Sequence, residues 1–296
     1  MCRSLINKQH TAMLEHASLV LEVGKQEYAL IEILRRFMEN IINEDNENKK
    51  CYLRYTNYMK NAEYRYIISG NMRAWYEFLQ YANSVNGLPV ELYNLINNNV
   101  NNIININVND FDFNVFSTYK PSDFYAKIIT DMSVLSNEER MIHENISVLF
   151  TVDRGVTHEL VRHRNASFAQ ESTRYCNYNL GKFGKEITVI KPCFLKEETE
   201  VYGEWKNACE ESEKYYFSLL NEGLLPQQAR DVLPTSIKAD IVVTANLHEW
   251  KHILNLRACD STGPAHPQIK EVMVPLLEEL KISKYNFAFK DMSIHL

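Results

Sequence analysis

Between residues 162 and 178 the chain reads RHRNASFAQESTRYCNY, which sets Arg162, His163, Arg164 and Arg174 around Ser167, Ser172 and Thr173. A guanidinium is a planar fork of donors that can meet two phosphate oxygens at once, and a hydroxyl or backbone N–H beside it closes the cage. Arg162 and Arg164 on one side of a loop, with Ser172 and Arg174 on the other, suit one or two phosphorylated ligands. The competing reading is a solvated basic face whose cations pair with Glu159 and Glu171. Flanked by two cations, His163 is expected to have its charged form disfavoured by like-charge repulsion, leaving a neutral ring that can donate and accept hydrogen bonds.

A second stretch with chemistry in it is HEWKH at 248–252. H-E-x-x-H on a helix puts two imidazoles one turn apart on one face, as zinc requires, with Glu249 available as general base. Glu271, eighteen residues beyond His252, has the spacing of a third ligand. Against this, the motif falls in the first turn of its expected helix with Lys251 inside it, and short motifs of this kind arise by chance. No nucleophile stands out: Ser172 lacks a Ser-His-acid arrangement, and Cys176, the cysteine nearest the arginines, reads as a packing residue.

The elements that must carry these groups follow from hydrophobic periodicity. ISVLFTVD (146–153) alternates as a strand and runs into a short helix, RGVTHELV, which delivers the chain into the arginine segment. KEITVIKP (185–192) reads as a strand, 197–222 as a long amphipathic helix, and PQQARDVL as a short element opened by Pro226 and ended by Pro234. IKADIVVTA (237–245) is expected to be a strand and NLHEWKHILNLRA (246–258) a helix. Upstream, 4–9 reads as a helix end, ASLVLEV (17–23) as a strand, 26–43 as a helix and 44–50 as a charged loop. YRYIISGNMRAWYEFL (64–79) reads as strand, turn and helix, with Asn71 as the cap. The asparagine-rich run NLINNNVNNIININVNDFDFN (94–114) reads as a loose insertion rather than an aggregation-prone or binding tract. IISGNMRAWYEFL (67–79) and VVTANLHEWKHIL (242–254) echo each other, aligning Asn71 with Asn246, Trp75 with Trp250 and Leu79 with Leu254.

With 296 residues and 45% apolar content, the chain can bury a full core as one large domain, with or without an insertion. A formal net charge of -6 disfavours wholesale binding to a nucleic-acid backbone, so any anion site must be local. Six scattered cysteines without a C-x-x-C pair, no signal-like segment and no apolar run of about 18 residues lead us to expect a soluble, cytoplasmic protein with free thiols and no membrane partner.

R-H-R followed by seven residues and Ser (Arg162-His163-Arg164, then Ser172) resembles the signature of the flavin-dependent thymidylate synthases. HTAMLEHASLVLEV (10–23) and DRGVTHELVRHR (153–164) are similar to the segments that precede it in that family. ARDVLP (229–234), IVVTAN (241–246), LNLRA (254–258) and AHPQIK (265–270) follow in the family's order. These segments cover about half the chain, on both sides of residues 24–140, which read as an insertion within a single domain spanning 1–296. Family members usually carry a strand and a helix before the His10 segment, whereas nine residues precede it here, so part of the sheet is expected to be lost or supplied by the insertion.

The resemblance implies an α+β fold, a mainly antiparallel sheet flanked by helices, thymidylate synthase-complementing-like, with a helical insertion. It implies reductive methylation of deoxyuridine monophosphate (dUMP) to dTMP, with methylenetetrahydrofolate as carbon donor and NADPH as reductant through FAD. It further implies a homotetramer with shared active sites. The dUMP site would comprise Glu159, Arg162, Gln170, Glu171, Ser172, Thr173, Arg174, Arg230 and Arg257. Arg257 would be catalytic, facing the uracil and favouring its N3-deprotonated form. FAD would lie against His10, Glu15, Arg162, His163, Arg164, Gln170, Asn246, His248 and His252. Glu159 and Gln170 stand where the family also uses glutamine and glutamate, respectively. Two other functions stay open from sequence: a nucleotide- or flavin-binding relative that has lost catalysis, and a zinc hydrolase using His248, Glu249, His252 and Glu271.

Overall fold

A computed structural model describes residues 11–24, 56–60, 66–84, 90–104, 126–174, 177–178, 184 and 186–294. The chain divides into two compact units, the first comprising Met1–Ile146 with Thr244–Leu247, the second Ser147–Val243 with His248–Leu296. The helices expected at 4–9 and 26–43 and the loop at 44–50 lie outside the described residues.

The first unit is built on strands β1 (Ser18–Val23), β2 (Thr56–Lys60), β3 (Tyr66–Asn71) and β4 (Ala126–Ile129), in the order β2-β3-β1-β4. Every pairing is antiparallel, and the register places Leu21 opposite both Ile68 and Ile128. Alternation sends Leu19, Leu21 and Val23 to one face and Val20 to the other. Helices α1 (Met72–Ser84) and α2 (Val90–Ile104) cover the first face through Trp75, Phe78, Leu79, Leu92, Ile96 and Val100, while Leu135 packs with Val20, Ile67 and Ile129 on the second. The side chain of Asn71 accepts from the Ala74 amide at 2.8 Å, the expected cap. Trp75 is buried with its indole N–H donated to the Leu19 carbonyl at 3.0 Å, so the ring brings no unsatisfied polar atom into the core.

The asparagine-rich run departs from its expected loose conformation: its first part, to Ile104, belongs to α2. Asparagine is a weak helix former, but Leu92, Ile96 and Val100 recur every fourth residue on the buried face and Asn94 and Asn98 fall outside. Burial of that stripe outranks intrinsic preference. Residues 105–114 lie outside the described part.

Two buried polar groupings complete this unit. Arg73 donates to Glu15 at 2.9 Å and to Glu77 at 3.1 Å. The ring of His143, at the end of α3 (Asn137–His143), meets Ser69 Oγ at 2.8 Å, and burial lowers its pKa to about 4 despite the pull of Glu139.

In the second unit β5 (Asn145–Asp153) leads into α4 (Arg154–Leu160), and the three-stranded sheet has the order β5-β7-β6, with β6 at Ser167–Gln170 and β7 at Lys238–Asn246. The segment expected to be one arginine-rich loop is therefore two turns separated by a short strand. KEITVIKP forms no strand; it contributes one bridge, Val189 to Ile237. The long helix is α5 (Glu200–Asn221), and Pro226 opens the short α6 (Pro226–Ala229). Helix α7 (Leu247–Arg257) follows β7 directly and buries Trp250, Ile253 and Leu254, with Trp250 6.3 Å from Phe150 by ring centroids. Helix α8 (Pro267–Ile282) adds Ile269, Met273 and Leu277 to the core.

The sequence echo corresponds to two strand-to-helix units, β3 with α1 and β7 with α7, each burying its tryptophan and leucine. The asparagines differ: Asn246 donates to the Ile142 carbonyl at 3.0 Å within the first unit. Cys193, Cys209 and Cys259 are free thiols, the last two buried, and burial pushes both thiols up in pKa. Cys176 lies outside the described residues. Among these residues no helix is long and apolar enough to cross a membrane.

Candidate active site

The turn after β6 is where positive charge converges. Asp153 caps α4 by accepting from the Val156 amide at 2.7 Å and also holds the side chain of Gln268, which fixes Arg154 at the first helical position. From there Arg154 donates to the Glu171 carbonyl at 3.1 Å and to Thr173 Oγ1 at 3.4 Å. Arg230 reaches the same Thr173 hydroxyl at 3.4 Å, so two guanidiniums meet at one buried oxygen. Ser172 Oγ accepts from the Arg174 amide at 3.3 Å, and Arg174 itself is exposed. The Glu171 amide donates to the Asp240 carbonyl at 2.8 Å, tying the turn to β7, while Lys238 bridges Glu171 at 3.4 Å and Asp240 at 2.6 Å. Gln170 donates to Thr157 at 2.8 Å. Paired guanidiniums, two hydroxyls and a free arginine suit a tetrahedral anion such as a phosphate monoester. Arg154 was not foreseen: a lone arginine at a helix start carries no spacing signal, and its distance in sequence from Arg230 hides their convergence.

A second grouping forms around Arg257 at the end of α7. Its Nη1 donates to Glu159 at 2.7 Å and its Nε donates to His163 Nε2 at 3.2 Å, leaving the imidazole proton on Nδ1. Burial, then Arg257, then His252 lower the His163 pKa to about 4. The neutral ring expected from sequence is present, but for another reason, because Arg162 and Arg164 are exposed and the cation against the ring is Arg257. His252 stands edge-on to His163 with ring centroids 6.2 Å apart.

The solvated-face reading fails in its specifics. Glu159 pairs with Arg257 and Glu171 with Lys238, while Arg162 and Arg164 make no ion pair among the described residues. The zinc constellation is not assembled either: among the described residues the convergent group is His163, Glu249 and His252, with ligand atoms within 4.8 Å of one another, and neither His248 nor Glu271 belongs to it. In that group the His163 Nε2 lone pair is engaged by Arg257, and Glu249 accepts from Asn165 at 3.2 Å. Glu271 instead hydrogen bonds to Cys193. Of the remaining flavin candidates, His248 is exposed, His10 lies outside the described residues, and Glu15 and Asn246 belong to the first unit with the partners given above.

Fold and site together define an α+β protein with an anion-binding turn built beside a neutral imidazole. The family follows from comparison: the model of the thymidylate synthase complementing protein family matches residues 122–282, and the chain belongs to that family. It is 37% identical over 150 residues to a flavin-dependent thymidylate synthase of Pyrococcus abyssi, covering 50% of this chain and 59% of that protein. The enzyme of the same name from Pyrococcus furiosus is 36% identical, and that from Thermococcus kodakarensis 37%, each over 150 residues, 50% of this chain and 59% of theirs. The chain thus spans about three fifths of the length of the curated relatives it matches. A solved UMP/dUMP methylase, PolB from Streptomyces cacaoi bound with 5-Br dUMP, aligns with TM-score 0.39 and 24% identity over 46% of this chain and 66% of that one.

Proposed function

We propose that this protein methylates dUMP reductively to dTMP, taking the carbon from methylenetetrahydrofolate and reducing equivalents from NADPH through FAD. The observation that carries the reading is the convergence of Arg154 and Arg230 on Thr173, beside Ser172 and the exposed Arg174. A nucleotide phosphate would bind at that turn, supported by Gln170 and Glu171, and Arg257 with Glu159 would face the base. The residues of the second unit fit a flavin: Arg162 and Arg164 are exposed cations without an ion-pair partner among the described residues, suited to a pyrophosphate, and His163 is a neutral ring for hydrogen bonding. His248 and His252 would add contacts. When bound, the flavin supplies the redox chemistry, and the chain's own groups bind and orient. The relatives' names support the flavin and the thymidylate product. NADPH, the folate donor, a cytoplasmic homotetramer, and residues 24–140 as an insertion into a single domain belong to the same proposal.

The test is the visible spectrum of the purified full-length protein, followed by NADPH-dependent formation of dTMP from dUMP and methylenetetrahydrofolate. A flavin spectrum with turnover supports the reading. A folded protein lacking both rejects it, and dUMP binding without turnover identifies a relative that has lost catalysis.

A further inference from the structure

The pairing of Glu159 with Arg257 bears on the charge that this site presents to a base. Glu159 Oε2 accepts from Arg257 Nη1 at 2.7 Å, with 31% of the glutamate side chain and 22% of the arginine side chain exposed. Arg257 spends Nε on His163 and Nη1 on Glu159, which leaves the Nη2 donors without a described partner. Glu159 has no partner besides Arg257 among the described residues. The guanidinium is thus held on one edge and offered on another, as half of an ion pair. A cation compensated by an adjacent carboxylate stabilises an incoming anion less than a bare one does, because the two fields oppose at the ligand.

We infer that Glu159 sets the charge Arg257 presents to a bound pyrimidine, so that this chain holds the base mainly in its neutral N3–H form and restrains its ionisation. This rests on the proposed function, since it takes Arg257 to face the uracil. Glu159 is then a positioning and tuning residue rather than a catalytic one. When N3 ionises, its proton passes to solvent and the negative charge stays on the ring beside Arg257. With a carboxylate at 159 that ring anion meets a nearly neutral pair; with an amide it meets an uncompensated guanidinium.

The titratable and charged groups placed against Arg257 are Glu159 from α4, His163 from the turn that follows and, around His163, Glu249 and His252 from α7. Following the titration from pH 8 upward keeps it above the range in which imidazoles change charge. Glu159→Gln is the decisive variant because its amide oxygen can still accept from Nη1, so the hydrogen bond survives while the charge is lost.

The experiment is the pH dependence of the ultraviolet difference spectrum of dUMP bound to the full-length protein, carrying whatever flavin it retains, for wild type and Glu159→Gln. The expected result is ionisation of the bound base at lower pH in the variant, by on the order of one unit. Coincident profiles with dUMP bound to both proteins would overturn the inference while leaving the function standing. Failure of the wild type to bind dUMP would remove the function reading and this inference with it. Should Glu159→Gln not fold, Glu159→Ala must show a shift in the same direction, and no shift there overturns the inference equally.

Discussion

Arg257 donates its Nε–H to Nε2 of the buried His163 at 3.2 Å, so a permanent cation is held against an imidazole that stays neutral. Protonating His163 would remove the acceptor and set two positive charges side by side, in an environment that already disfavours charge.

Acid should therefore destabilise the protein in a defined window. His163 and His143 both have folded-state pKa values of about 4 against an ordinary 6.5. Between those values the unfolded chain binds more protons, so this contribution is fully present above pH 6.5 and declines as pH falls towards 4. The loss amounts to roughly 3 kcal/mol per histidine. Urea unfolding at pH 7.5 and pH 5 should show the difference, and His143→Gln should flatten the dependence. An unchanged slope would contradict the assignment.

Arg154→Ala should weaken dUMP binding by roughly 10- to 100-fold, the range expected for losing hydrogen bonds from a charged donor. The Thr173 hydroxyl and the Glu171 carbonyl would lose a shared anchor. Calorimetric titration with dUMP gives the answer, and wild-type affinity would remove Arg154 from the site.

Arg162→Ala and Arg164→Ala should leave thermal stability within about 0.5 kcal/mol, because exposed side chains without partners contribute little to folding. Flavin retention should nevertheless fall in both. Absorbance near the flavin band after gel filtration separates the two effects. Full retention in the double variant would sink the flavin role of this turn.

Arg73→Met should destabilise the first unit by about 3–5 kcal/mol, since it strands the carboxylate of Glu15, whose side chain is 9% exposed. Adding Glu15→Gln to that variant should recover part of the loss, because the unpaired charge goes with it. Denaturant melts of the single and double variants test this, and additive losses would count against the pair.

Ile96→Ala should cost about 2–5 kcal/mol, the range for truncating a buried aliphatic side chain, as Ile96 is fully buried under the first sheet. Asn98→Ser, on the exposed face of the same helix, should be nearly neutral. Equal effects in equilibrium unfolding would mean that the asparagine-rich run is as loose as its composition suggests.

Much of the fold is legible from spacing along the chain. Alternation in ISVLFTVD and IKADIVVTA marked β5 and β7, and Asn71 announced the helix it caps, because these signals are local. KEITVIKP alternates equally well yet forms a single bridge, since a strand needs a partner edge and periodicity does not report one. The four residues of β6 are too few to show a period. α2 went unseen because asparagine composition masked a stripe of Leu92, Ile96 and Val100 that is helical only when something covers it.

By itself the sequence determined which residue types gather near position 170, that His163 would be neutral, and that ordered motifs match one enzyme family. Tertiary structure decided who meets whom. Arg154 and Arg230 share a threonine, Glu159 takes Arg257, and Arg162 and Arg164 are left exposed. Those pairings join groups 19 to 98 residues apart. Electrostatic attraction depends on distance in space, which the order of residues along a chain does not contain.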